Sequence, residues 1–270
     1  MTDIKKSKIQ HYIKRIRDFY AFSNSKRATT FAGGLAYFFF AGIVPFFGLV
    51  TVIFSLLDID SAQIKTLFQS DVFSVFFERL QSEGADRAAT LIMGITAAYA
   101  ATHFYFHLIR TGENVYESNR SGGAIKRVLS FCYLFIVQLL LIIAVSIELF
   151  GNKVLSFLGF SDVVVGLTGT SLSLAFNLVL SIVLHLFAAP AGYKNLKFIY
   201  KGVLLSFVYW EVCGLFFRLT QKGASGDFGF AAVAVFLLYL YFLMRGLVYG
   251  MVINAIGESS DRNGFIVSGD

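Results

Sequence analysis

Charge is scarce in this chain. Asp, Glu, Lys and Arg make up only 15% of the 270 residues, against roughly 25% in an ordinary soluble domain, and that shortage argues against a surface made for water. Cysteine is nearly absent too. Cys132 and Cys213 are the only two, and both fall inside apolar runs, so neither a disulfide framework nor a thiolate metal site is suggested and they read as small packing residues. No glycine loop of the Walker or dinucleotide type occurs, and no bound cofactor is implied. No Lys/Arg run alternates with aromatics in a soluble stretch, and no nucleic-acid fold signature is found, so nucleic acid is not an expected partner.

Apolar residues supply 56% of the chain. They are gathered into six long runs, at 32–57, 88–108, 128–150, 172–189, 200–220 and 230–256, and a helix crosses a bilayer with about 20 such residues. The 31 Phe and 13 Tyr suit lipid-facing surface and interfacial belts. The expected fold is therefore all-α, a polytopic membrane protein built as a bundle of six transmembrane helices. The basic stretch before the first run is too long for the n-region of a signal peptide, and the run itself is about twice an h-region, which predicts a retained helix.

Lysines and arginines set the expected orientation. Lys5, Lys6, Lys8, Lys14, Arg15, Arg17, Lys26 and Arg27 precede the first run, and Arg110, Arg120, Lys126, Arg127, Lys194, Lys197 and Lys201 lie in loops of the same side. The opposite loops hold fewer, so both termini are expected in the cytoplasm. The net charge of +6 is then accounted for by the lipid bilayer, with anionic headgroups on the cytoplasmic side as the expected partner. Three parts follow: a basic cytoplasmic amphipathic segment at 1–27, the membrane domain at 28–256 and a polar cytoplasmic tail at 257–270. In the first part Ile4, Ile9, Tyr12, Ile13, Ile16 and Phe19 recur at helical spacing, predicting an amphipathic helix on the inner membrane surface. A second amphipathic stretch at 64–80, with Ile64, Leu67, Phe68 and Leu80, is expected to cap the bundle or lie in the outer interface.

Several local patterns stand in order along the chain. The first run reads Leu35-Ala36-Tyr37-Phe38-Phe39-Phe40-Ala41-Gly42-Ile43-Val44-Pro45. After the second, Leu108-Ile109-Arg110 leads through Asn114, Tyr116 and Glu117 to Arg120; Pro190, Gly202 and Trp210 follow, then Phe228-Gly229, and finally Gly250 with Asn254-Ala255. Together, over residues 28–256, these resemble the YihY/virulence factor BrkB family, once misnamed ribonuclease BN. Two positions depart from its pattern: Gly42 stands where the family usually has Ser, and Val252 where it has Glu. The resemblance implies a six-helix protein of the bacterial inner membrane and assigns it no substrate.

Polar groups inside the apolar runs are the candidate functional residues, because a charge in a span is expensive unless paired or wetted. Glu211 lies near the middle of the fifth run and Arg245 well inside the sixth. Both are equidistant from residue 228 in the turn at 225–229, which puts them at similar depth, about 15 Å from the cytoplasmic ends. They are expected to pair or to line one cavity, and an ion pair that merely locks two helices is the competing expectation. His185, just before Pro190, and Asn254 complete the candidate polar site as inter-helix hydrogen-bonding groups, with Gln138, Glu148 and Asn177 able to act likewise at about 0.6 kcal/mol each. Gly246 and Gly250 form a GxxxG that allows close backbone approach.

Pro45 removes a backbone donor in mid-run, so the first helix is expected to kink there, with Gly42 nearby. Such a kink either frees carbonyls for an ion or substrate path or is plain structural relief. His103 and His107 are four residues apart on one helix face, a spacing that can hold a metal, but they lack the third and fourth ligands of a zinc site and equally suit interfacial anchors. Neither a nucleophile with its base nor a metal cluster is visible, so enzymatic and nuclease activity are not expected. The expected function is transport or translocation of a solute, ion or lipid. The alternative is a non-transporting membrane scaffold or envelope-integrity factor.

Overall fold

Where water is excluded, every backbone N–H and C=O must find its partner within the chain, and a helix does this segment by segment. The computed structural model describes residues 2–56, 87–118, 122–157, 161–222 and 229–259, and among them the regular structure is wholly helical. In chain order the helices are α1 (Thr2–Ser23), α2 (Lys26–Leu56), α3 (Arg87–Val115), α4 (Gly123–Phe157), α5 (Asp162–Ala188), a 3-10 turn at Ala191–Tyr193, α6 (Leu196–Lys222) and α7 (Gly229–Ser259). The amphipathic stretch at 64–80, Arg120, most of the turn at 225–229 and the tail beyond 259 lie outside the described residues.

Stretches in α4 to α7, Gly123–Leu140, Leu167–Ala188, Leu196–Phe217 and Ala234–Ile256, are long and apolar enough to cross a membrane. The first two apolar runs of the sequence lie in α2 and α3. Along α6, Leu204, Val208, Val212, Leu215 and Leu219 recur every three to four residues and are 52–61% exposed. A continuous apolar stripe of that kind is unfavourable in water and natural against lipid.

Helix ends are set by local chemistry. Ser25 caps α2: its hydroxyl oxygen accepts from the Ala28 N–H at 3.3 Å, the usual service of a serine before the first turn. α3 ends in a Schellman turn, with the Ser118 N–H donating to the Glu113 carbonyl at 3.0 Å and Glu117 in the left-handed conformation at φ 49°, where glycine is the usual choice. Pro190 closes α5, which cannot continue through it, and the Asn195 side chain accepts from the Lys197 N–H at 3.1 Å at the start of α6.

The chain divides into two units, each described by itself. The first comprises Met1–Tyr37, His107–Gly122 and Leu174–Asp270. Within it α6 and α7 form an antiparallel pair: Gly202 meets Gly250, Ser206 meets Gly246, Trp210 meets Leu243 and Phe217 stacks on Tyr239 at 4.5 Å between ring centroids. α5 runs antiparallel to α6 over a core of Ala189, Ile199 and Val203 with Leu178, Ile182 and Leu186 packed against it. The second half of α1 lies antiparallel along α7, with Ser23 at Arg245 and Phe19 edge-on to Tyr249 at 5.6 Å. α1 is thus packed on another helix over this stretch, beyond the surface association that its amphipathic pattern predicts.

The second unit comprises Phe38–Phe106 and Gly123–Ser173. There Arg127 of α4 lies over the rings of Tyr99 and Phe106 of α3, at 5.0 and 4.4 Å, and Phe39 of α2 meets Phe104 edge-on at 5.1 Å. α2 keeps helical backbone through Pro45. A Cβ built on Gly42 would sit in ordinary contact with Ala101, at 3.6 Å from its Cα, so packing does not require glycine there.

Candidate functional site

On a helix, positions four apart share a face, and α7 uses two adjacent faces differently. One carries Gly246, Gly250 and Asn254 and meets α6 and α5. The other carries Tyr241, Arg245 and Tyr249 and meets α1.

The first face forms a buried polar seam. His185 of α5 is wholly buried, and its Nδ1 lies 2.8 Å from the Ser181 carbonyl; since a carbonyl only accepts, Nδ1 bears the proton. Its Nε2 faces the Ser206 hydroxyl at 3.4 Å, while that hydroxyl donates to the Gly246 carbonyl at 2.9 Å. The Ser181 hydroxyl reaches the Val203 carbonyl at 3.2 Å. One turn further along, the Asn254 Oδ1 accepts from the Gly202 N–H at 2.8 Å, and the Asn254 Nδ2 is buried with no hydrogen-bond partner among the described residues. The three glycines make this closeness possible. A Cβ on Gly250 would overlap the Gly202 carbonyl, Ser206 Oγ and His185 Nε2; one on Gly202 would overlap the Gly250 carbonyl; one on Gly246 would strike the Tyr209 ring. The seam is a close-packed, hydrogen-bonded junction of three helices.

The second face presents Arg245, which is half-buried. Its Nε donates to the Tyr249 hydroxyl, and its Nη2 lies 3.5 Å from the Ser23 carbonyl at the end of α1. The guanidinium carbon stands 5.4 Å from the Tyr249 ring centroid and 6.0 Å from that of Tyr241, and Tyr209 meets Tyr249 edge-on at 6.1 Å. All these partners are neutral. The C-terminal end of α1 adds a partial negative charge, and the ring faces add their quadrupoles, but among the described residues no carboxylate reaches Arg245.

Glu211 is held elsewhere, its Oε1 accepting from the Asn177 Nδ2 at 2.8 Å. The pairing of Glu211 with Arg245 expected from their equal depth is therefore not what the structure holds: equal depth fixes height along the bundle, and the side chains leave their helices on different faces. The four candidate polar residues thus separate into His185 and Asn254 in the seam, Glu211 of α6 turned to Asn177 of α5, and Arg245 beside α1. Gly246 and Gly250 pack within the chain, against α6.

His103 and His107 lie four residues apart on the continuous α3, and His103 is stacked on Phe38 at 6.2 Å and edge-on to Tyr99 at 5.2 Å. Among the described residues no three His, Cys, Asp or Glu side chains group as a metal site would. Ser181, Ser206, Tyr249 and Ser23 escaped the sequence reading, although Gly202 and Ser206 repeat the small-xxx-small spacing of Gly246 and Gly250 and marked the facing surface.

A family model described as Virulence factor BrkB matches residues 19–264. No curated protein and no solved structure matches the chain.

Proposed function

The chain belongs to the virulence factor BrkB family, and on that premise we propose that it is a six-span protein of a bacterial inner membrane, with both termini in the cytoplasm, that transports or translocates a solute, ion or lipid. The observation that carries this reading is Arg245. A permanently charged group in a span is several kcal/mol unfavourable unless it is paired or wetted, and here its described partners are the Tyr249 hydroxyl, a backbone carbonyl and aromatic faces. A positive charge ringed by neutral acceptors suits transient recognition of an anion, since a fixed carboxylate would compete for it. The asymmetry of lysines and arginines supports the orientation, and the absence of a nucleophile–base pair in the sequence supports a non-enzymatic role.

The scaffold reading is favoured by the seam, where His185, Ser206 and Asn254 are enclosed and interlocked. Water access separates the two. In a background of Cys132→Ala and Cys213→Ala, Arg245→Cys in proteoliposomes is treated with a membrane-impermeant maleimide. Labelling supports the transport reading, and currents on a solid-supported membrane after jumps of chloride, phosphate or succinate, lost in Arg245→Gln, complete it. A cysteine at 245 that stays unlabelled from both sides, with no current for any of the three anions, leaves the scaffold.

A further inference from the structure

Between α1, α7 and the start of α6 the first unit leaves a cavity of about 210 Å³. Ile16 and Phe19 of α1 and Ile253 and Ile256 of α7 form its wall, and Arg15 and Lys201 complete the lining. Apolar groups dominate, so water inside would find few partners, and a small hydrophilic anion would cover none of the isoleucine surface. The cavity also continues into an outward face: Ile13, Ile16 and Tyr20 of α1 are 59–68% exposed, and Lys201 is exposed. Long basic side chains lay their methylenes along apolar walls and present the charge at the rim. The geometry is that of an apolar slot on the surface of a membrane protein, with the exposed Lys201 and the half-buried Arg15 in its lining.

We propose that this cavity anchors one anionic phospholipid, with its headgroup phosphate between Arg15 and Lys201 and the first methylenes of an acyl chain against Ile16, Phe19, Ile253 and Ile256. The charge complementarity selects an anionic headgroup, and the apolar wall selects a lipid over free phosphate. The lipid bridges α1 to α6 and α7, so it ties the N-terminal helix to the bundle beyond the contacts of Ser23 and Phe19. The site is independent of the transport reading, because it lies on another part of α7 from Arg245 and needs no passage through the protein.

Native mass spectrometry of the full chain released from detergent tests it, with phosphatidylglycerol and phosphatidylcholine of identical acyl chains offered in turn. The expected result is one phosphatidylglycerol retained in preference to phosphatidylcholine and not displaced by excess inorganic phosphate. Lys201→Gln should weaken retention about fivefold and the double change with Arg15→Gln about 25-fold, at the strength typical of basic groups near anionic lipid. Ile253→Trp, which fills the slot without touching charge, should abolish it, whereas Lys197→Gln outside the slot should leave it intact. Equal retention of both lipids, displacement by phosphate, or undiminished retention by Lys201→Gln and Ile253→Trp would each overturn the proposal. Lys201 is exposed, so its variant folds and the test stands even if the double variant does not.

Discussion

Gly202 and Gly250 face each other across α6 and α7 so closely that a Cβ on either would overlap the carbonyl of the other. Backbone meets backbone here, and backbone cannot step aside as a flexible side chain can. The same approach brings Ser206 to the Gly246 carbonyl and Asn254 to the Gly202 N–H, so two glycines determine whether the polar groups of the seam find their partners.

Gly250→Ala should therefore destabilise the protein by at least about 1–3 kcal/mol, the range for overpacking a filled core. Gly169→Ala in α5, where a Cβ would meet nothing within 4 Å, should leave stability unchanged or raise it by up to about 1 kcal/mol. Thermal unfolding in detergent micelles compares them, and equal midpoints for both variants would contradict the packing described.

Glu211 hydrogen-bonds Asn177 and not Arg245. A double-mutant cycle of Glu211→Leu with Arg245→Leu should be additive to within about 0.5 kcal/mol, while Glu211→Leu with Asn177→Leu should show a coupling of about 0.5 kcal/mol or more. Strong coupling in the first cycle would show that the two charges act on each other after all.

Glu117 occupies a left-handed position at the end of α3. Glycine reaches that conformation without the steric penalty of a Cβ, so Glu117→Gly should stabilise the protein by about 0.5–1 kcal/mol. A lowered unfolding midpoint would mean that the Glu117 side chain contributes more than its backbone strain removes.

Trp210, the chain's single tryptophan, donates its indole N–H to the Leu243 carbonyl at 2.8 Å across the α6–α7 pair. Its fluorescence should report on that junction, shifting to the red when Gly250→Ala forces the helices apart. Trp210→Phe should cost about 1 kcal/mol for the lost hydrogen bond, with further loss from the smaller ring. An unchanged spectrum in Gly250→Ala would place the disturbance elsewhere.

The helices were legible because apolar runs of membrane length leave little alternative, and the antiparallel register of α6 and α7 followed from their short connection. Their ends were less so. α3 continues past the charged Arg110 to Val115, and α5 begins at Asp162, ahead of the run that starts at 172; Thr168, Thr170, Ser171 and Ser173 interrupt the apolar pattern without interrupting the helix. The site was half legible. Arg245, Glu211, His185 and Asn254 stood out as polar groups in apolar surroundings, but which of them meet depends on helix rotation, and the spacing along one helix gives only its own faces. The α1–α7 contact was hidden for another reason: the apolar set of α1, Phe19 included, fits a membrane surface and a neighbouring helix equally well, and nothing in a single helix's pattern names α7 as the partner.

Arg245 touches the carbonyl of a residue 222 positions earlier. A ribosome adds about 5–20 residues per second, so about 10–45 s separate the synthesis of α1 from that of its partner. During that interval α1 has no α7 to pack on, and the apolar side chains of Ile13, Ile16 and Tyr20 make the nascent bilayer surface its temporary host. Insertion of α7 then ends the wait, and α1 docks late in biogenesis although it is made early.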